Sequence, residues 1–222
     1  MTEPPEGTAA ASVKALVRSE RVHDIAAAYA EVGVDLLLKE GALRDIPVFG
    51  TLLGLVRGGI AIRDVVFARK LFEFVADLSK IDGAARRTMI EKLEADPAYG
   101  RRVGEHLLEI LDRIDSHRKP LMIAHVFRAY AAERIDADRL HRLIIAIERV
   151  PTFDLRFLRP FSDAPEETRA APPAALESLA FAGLLSPASA WDGMAYLPNE
   201  LGQAFLELEL DRAGEPARPE QG

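Results

Sequence analysis

Apolar residues recur every three or four positions along most of this chain, and residues that start or stop helices interrupt them, so the sequence dictates a succession of short helices. Between Thr8 and Glu40 the apolar positions are Val13, Leu16, Val17, Ile25, Val32 and Leu36, with Gly41 as the stop. A helix from Arg63 to Leu78 places Val66, Phe67, Lys70, Leu71, Phe74 and Leu78 along one side. Asp82 is an expected cap for a helix to about Glu94, and Asp96-Pro97 joins an N-cap to a proline at the first helical position. The helix that follows should bury Val103, Leu107, Ile110, Leu111 and Ile114. Pro120 restarts a helix to about Glu133, and Asp136 caps another that stops at Val150, before Pro151. The short connection from Arg134 to Asp138 predicts antiparallel neighbours in a bundle.

The texture changes after Val150. Five of the chain's fourteen prolines fall between Pro151 and Pro173, so residues 151–171 read as an irregular, partly packed linker. Pro172 and Pro173 then open a helix that Gly183 stops. Leu184 to Ser186 can pair with Met194 to Leu197 around Trp191-Asp192-Gly193, and Asn199 caps a last helix. With Gly183, Leu184, Leu185, Tyr196, Leu197, Asn199, Leu201, Gly202 and Phe205 in this order, residues 172–210 resemble the end of a winged-helix domain. The resemblance implies a helix, a β-hairpin wing and a closing helix, and many winged helices read DNA with the helix before the wing. That helix, residues 174–182, has no Lys or Arg here, and the loop from Ser186 to Gly193 adds only an acid. DNA contact needs cationic or amide side chains on that helix, so its chemistry suits a protein contact or a plain packing module better, with Leu185, Trp191, Tyr196 and Phe205 as the candidate interaction residues.

A second feature is the spacing of Gly50, Gly54 and Gly58 inside the apolar block 46–62. On a helix the three glycines share one face, which would let another backbone approach closely. The block is short for a membrane span and carries Arg57, with Arg63 just beyond it. Two readings follow: a buried hairpin at the centre of the bundle, or a segment that meets a membrane surface. Gly50, Gly54, Gly58, Arg57 and Arg63 are the residues that either reading rests on.

Several chemistries are absent from the sequence. Without cysteine there is no disulfide, thiolate metal site or thiol nucleophile. No phosphate-binding glycine loop, dinucleotide fingerprint or G-x-S-x-G elbow is present, and the five histidines form no H-E-x-x-H. Asp136 and Asp138 begin like a calcium loop, but His141 and Ile147 stand where glycine and glutamate are needed. No catalytic, cofactor or metal residue is therefore expected. Residues 151–222 hold 5 basic and 12 acidic side chains, which accounts for the net charge of −7 and disfavours phosphate backbones as ligands.

The chain is thus expected to be mostly α. It should comprise a helical bundle over 8–150 and a small winged-helix-like α+β module with one short hairpin over 172–210, between solvated tails at 1–7 and 211–222. The start of the chain lacks a basic segment followed by an apolar run, so a cytoplasmic setting is expected, peripheral to a membrane if 46–62 meets lipid. The functional expectation is a non-enzymatic interaction or adaptor protein with a protein partner, and homo-oligomerisation is open. Membrane association through 46–62 is the alternative, and transcription regulation through the winged module is the third.

Overall fold

The computed structural model describes residues 62–78, 80–95, 97–114, 116–190 and 193–214. These are mostly helical, with one antiparallel hairpin near the C-terminus. Two compact units result, one within residues 1–115 and one from Ser116 onward. The glycine-spaced block 46–62 lies outside the described residues except for Ile62. Among the described residues, no helix is long and apolar enough to cross a membrane.

In the first unit, α1 spans Ile62–Leu78, α2 Gly83–Ala95 and α3 Pro97–Arg113. The start of α2 is set as its sequence suggests. The Asp82 carboxylate accepts from the backbone N–H groups of Ala84 at 2.9 Å and Ala85 at 3.4 Å, donors that the helix itself leaves unpaired. Phe67, Leu71, Phe74, Val75 and Leu78 of α1 are buried, as are Leu107, Ile110 and Leu111 of α3. Lys70 shares the apolar phase of α1 for a polar reason. Its Nζ donates to the carbonyls of Asp112, at 3.3 Å, and Ile114, at the C-terminus of α3. An ammonium there meets carbonyls of the last turn and the negative end of the helix dipole. Val66, expected on the same side, is 46% exposed.

The second unit contains α4 (Arg118–Ala131), α5 (Ala137–Arg149), α6 (Leu155–Asp163), a 3-10 turn at Glu166–Thr168, α7 (Pro173–Phe181), β1 (Leu185–Ala190), β2 (Gly193–Pro198) and α8 (Glu200–Glu207). Asp136 caps α5 by accepting from Arg139 N at 2.8 Å, and Val150 ends it before Pro151. Leu140, Leu143, Ile144 and Ile147 fall on the buried side of α5, while Asp138, His141 and Arg142 face solvent. Pro120 sits in the first turn of α4, where its missing N–H leaves no helix bond unmade. Next to it the buried Lys119 donates to Glu148 O at 2.9 Å, near the end of α5.

Residues 151–171 are not an irregular linker. Leu155, Leu158 and Phe161 recur at three-residue spacing and are buried along α6, which carries Pro160 in its interior. A proline there removes a backbone donor and costs about 3 kcal/mol. The helix is held by Arg159, whose guanidinium donates to both carboxylate oxygens of Asp211, each at 2.8 Å, and to Leu206 O at 3.0 Å. α4 and α5 belong to the same compact unit as α6–α8, which begins at Ser116. The expected tail is also shorter. Asp211 and Ala213 are buried, and Arg118 donates to their carbonyls at 2.7 and 3.0 Å.

Gly183 ends α7 with φ of +85°, a conformation that favours glycine, and Leu184 N returns to Leu179 O at 2.9 Å. In the hairpin Leu185 faces Pro198, Pro187 faces Tyr196 and Ser189 faces Met194. Asn199 closes the arrangement. Its side-chain oxygen accepts from Gly202 N at 2.8 Å, while its amide nitrogen donates to Gly183 O at 3.1 Å and Ser186 Oγ at 3.3 Å. A Cβ at residue 202 would stand 2.2 Å from the carbonyl oxygen of Leu184. Gly202→Ala is therefore expected to destabilise the second unit by about 3 kcal/mol, lowering its thermal midpoint by at least about 10 °C in calorimetry. Glu209 has φ of +55°, which is costly for a side chain with a Cβ. Glu209→Gly should raise stability by about 0.5–1 kcal/mol in urea titration.

Candidate interaction surface

The helix before the hairpin decides what this module can touch. In α7, Ala175 and Leu179 face the core, followed by Ala182. Pro173, Ala174, Glu177 and Phe181 are its exposed positions. From α7 itself that face receives an aromatic ring and a carboxylate, and the cation beside it comes from α5. Phe181 is 75% exposed, and the Arg149 guanidinium at the end of α5 lies 5.9 Å from its ring centroid. At an exposed site such a contact contributes about 0.5–1 kcal/mol and orients both side chains.

A second ring belongs to the same region. Phe153 is 69% exposed in the turn between α5 and α6, where Asp154 N donates to Pro151 O at 3.0 Å. Asp154 itself is buried and accepts a hydrogen bond from the Ser178 hydroxyl, one turn before Phe181. This bond ties the Phe153 turn to α7. Arg156 lies over the ring of Phe157, 4.7 Å from its centroid. Phe153 and Phe181 are thus exposed, with Arg149 beside Phe181, and aromatics and Arg are the residue types that supply most of the affinity where proteins bind one another.

A separate polar groove of about 360 Å³ runs between the start of α5 and α8, lined among others by Arg134, Asp136, Arg139, Glu200, Gln203 and Glu207. Arg139 donates to Glu200 O at 3.1 Å and stands 3.7 Å from its carboxylate. Its lining holds neither a nucleophilic hydroxyl nor an imidazole. Asp138 and His141 lie one turn apart on the exposed side of α5. Asp138 accepts from Arg142 at 2.7 Å, and that hydrogen bond raises the Arg142 pKa above its ordinary value. Among the described residues no cluster of three or more His, Asp or Glu side chains could hold a metal ion.

The residues singled out from sequence are placed as follows. Leu185 and Phe205 are buried, so they fasten the hairpin and α8 to the helices and do not face a partner. Tyr196 is half-buried on β2, and Trp191 lies outside the described residues. Gly50, Gly54, Gly58 and Arg57 also lie outside them, and Arg63 is in the first turn of α1. Sequence reasoning did not single out Phe153 or Phe181. For Phe181 a signal existed, since it is out of phase with the core positions Ala175, Leu179 and Ala182.

Because both rings are exposed, Phe153→Ser should change the unfolding free energy by less than about 0.5 kcal/mol, and Phe181→Ser, which also loses the Arg149 contact, by no more than about 1 kcal/mol. Leu179→Ala should cost about 2–5 kcal/mol in the same denaturation series. No protein-family model matches the chain, and no curated protein or solved structure is significantly similar to it.

Proposed function

We propose that residues 116–214 form a winged-helix-like, non-enzymatic module that docks a protein partner through the face bearing Phe153, Phe181 and Arg149. The observation that carries this reading is the exposed face of α7. In a winged module the helix before the wing is the natural contact element, and here α7 itself contributes Ala174, Glu177 and Phe181, while the cation beside it, Arg149 of α5, is engaged with the Phe181 ring. Phosphate contacts come from Lys and Arg, and a carboxylate at the centre of the face repels them. A protein surface can instead bury the two rings, each worth about 1.5–3 kcal/mol when fully covered.

The test replaces Glu177 with a photo-crosslinking amino acid in the full chain, expressed in its native cells. Protein adducts are expected, and Phe181→Ser combined with Phe153→Ser should abolish them. Nucleic-acid adducts, or a mobility shift of genomic fragments at low salt that the double variant leaves intact, would overturn the proposal.

A further inference from the structure

The hairpin has two outer edges, and the prolines make them unequal. Proline has no N–H, so it cannot occupy the position of an antiparallel pair that exchanges two backbone bonds. Pro187 faces Tyr196 and Pro198 faces Leu185, and these pairs are of the same class in the alternating ladder. Both are therefore non-hydrogen-bonded pairs. The backbone groups of Leu185, Pro187 and Ser189 then point outward from β1, and those of Met194, Tyr196 and Pro198 point outward from β2. The outer edge of β1 lacks a donor at its middle, whereas β2 offers the N–H and C=O groups of Met194 and Tyr196 side by side. Among the described residues, no backbone group of β2 bonds beyond the hairpin. α6 contacts β2, and Met194 at the far end of the strand is 65% exposed.

Neither strand contains a charged residue. Soluble proteins ordinarily blunt an open edge with Lys, Pro or a bulge. Pro187 does this for β1, and among the described residues no Lys, Pro or bulge does it for the Met194 end of β2. An uncharged strand is also where two copies of an acidic chain can meet without setting like charges opposite each other.

We propose that β2 pairs with β2 of a second copy, antiparallel about a two-fold axis through Ala195, to give a four-stranded sheet. Matching the outward groups sets the register. Met194 faces Tyr196 of the other copy and forms the hydrogen-bonded pair, so each sulfur lies beside an aromatic ring. Ala195 faces its own copy in a non-hydrogen-bonded pair, with Cα atoms about 4.5 Å apart. This association uses none of the residues of the Phe153–Phe181 face and stands independently of it.

The absence of cysteine makes the register directly testable. A Cα separation of about 4.5 Å lies within the range a disulfide bridges. Full-length Ala195→Cys should form a covalent dimer under mild oxidation, while Ser189→Cys, on the edge of β1, should remain monomeric. Sedimentation of the cysteine-free chain should show a monomer–dimer equilibrium that Met194→Lys weakens about tenfold or more. A chain that stays monomeric at all concentrations would overturn the proposal. So would equal crosslinking of the two cysteine variants, or a dimer that Met194→Lys leaves unchanged.

Discussion

A single missing side-chain atom governs how the C-terminal elements meet. Because residue 202 is glycine, the start of α8 approaches the carbonyl of Leu184 more closely than any Cβ would allow. Asn199 then reaches three groups at once: the N-terminus of α8, the turn after α7 and the first residues of β1. Both ends of its amide are used, so the side chain caps the helix while it fixes the hairpin. The end of α7, the root of the hairpin and the entry to α8 share one small polar joint. The side of α7 that faces solvent follows from that joint, and so does the exposure of Phe181.

Charged side chains complete the remaining weak points of the helices. Lys70 and Lys119 each place an ammonium on carbonyls at a helix C-terminus, where the backbone leaves acceptors unpaired. Arg159 does more. Its bidentate bond to the buried Asp211 holds the last turns of the unit against α6, and the same bond raises the Arg159 pKa above its ordinary value. Removing one partner of such a buried pair costs about 3–5 kcal/mol, because the other charge is left unpaired. α6 tolerates an interior proline because its neighbour Arg159 is fixed at both oxygens of one carboxylate.

The sequence was legible wherever a local rule decided the outcome. Asp82, Asp136 and Asn199 cap helices as their positions imply, Pro97 and Pro173 open helices, and Gly183 takes the left-handed conformation. It was illegible where distant residues decide. The prolines of 151–171 obscured the spacing of Leu155, Leu158 and Phe161, and Arg159 gives no local hint of a partner 52 positions away. Lys70 shares the apolar side of α1 without a local reason, because its acceptors lie at the end of another helix. Leu185 and Phe205 carried the apolar character of a contact surface, but the same character serves a core. The two exposed rings stood out less than the buried ones, since exposure depends on which neighbours arrive.

How firmly those rings are held bears on what they can do. A side chain loses about 0.5–1.5 kcal/mol of freedom when an interface immobilises it, unless the protein has already restricted it. Phe153 projects from a closed turn fastened at Pro151 and tied through Asp154 to Ser178. Phe181 stands on the last turn of α7, with Arg149 over its ring and Gly183 fixing the chain beyond. Part of the ordering cost is therefore met before any partner arrives. A scattered pair of surface phenylalanines would lack that support, and here the buried carboxylate of Asp154 supplies it. Its burial makes the Ser178 bond costly to break, so the turn and the helix keep their spacing whether or not a partner is bound.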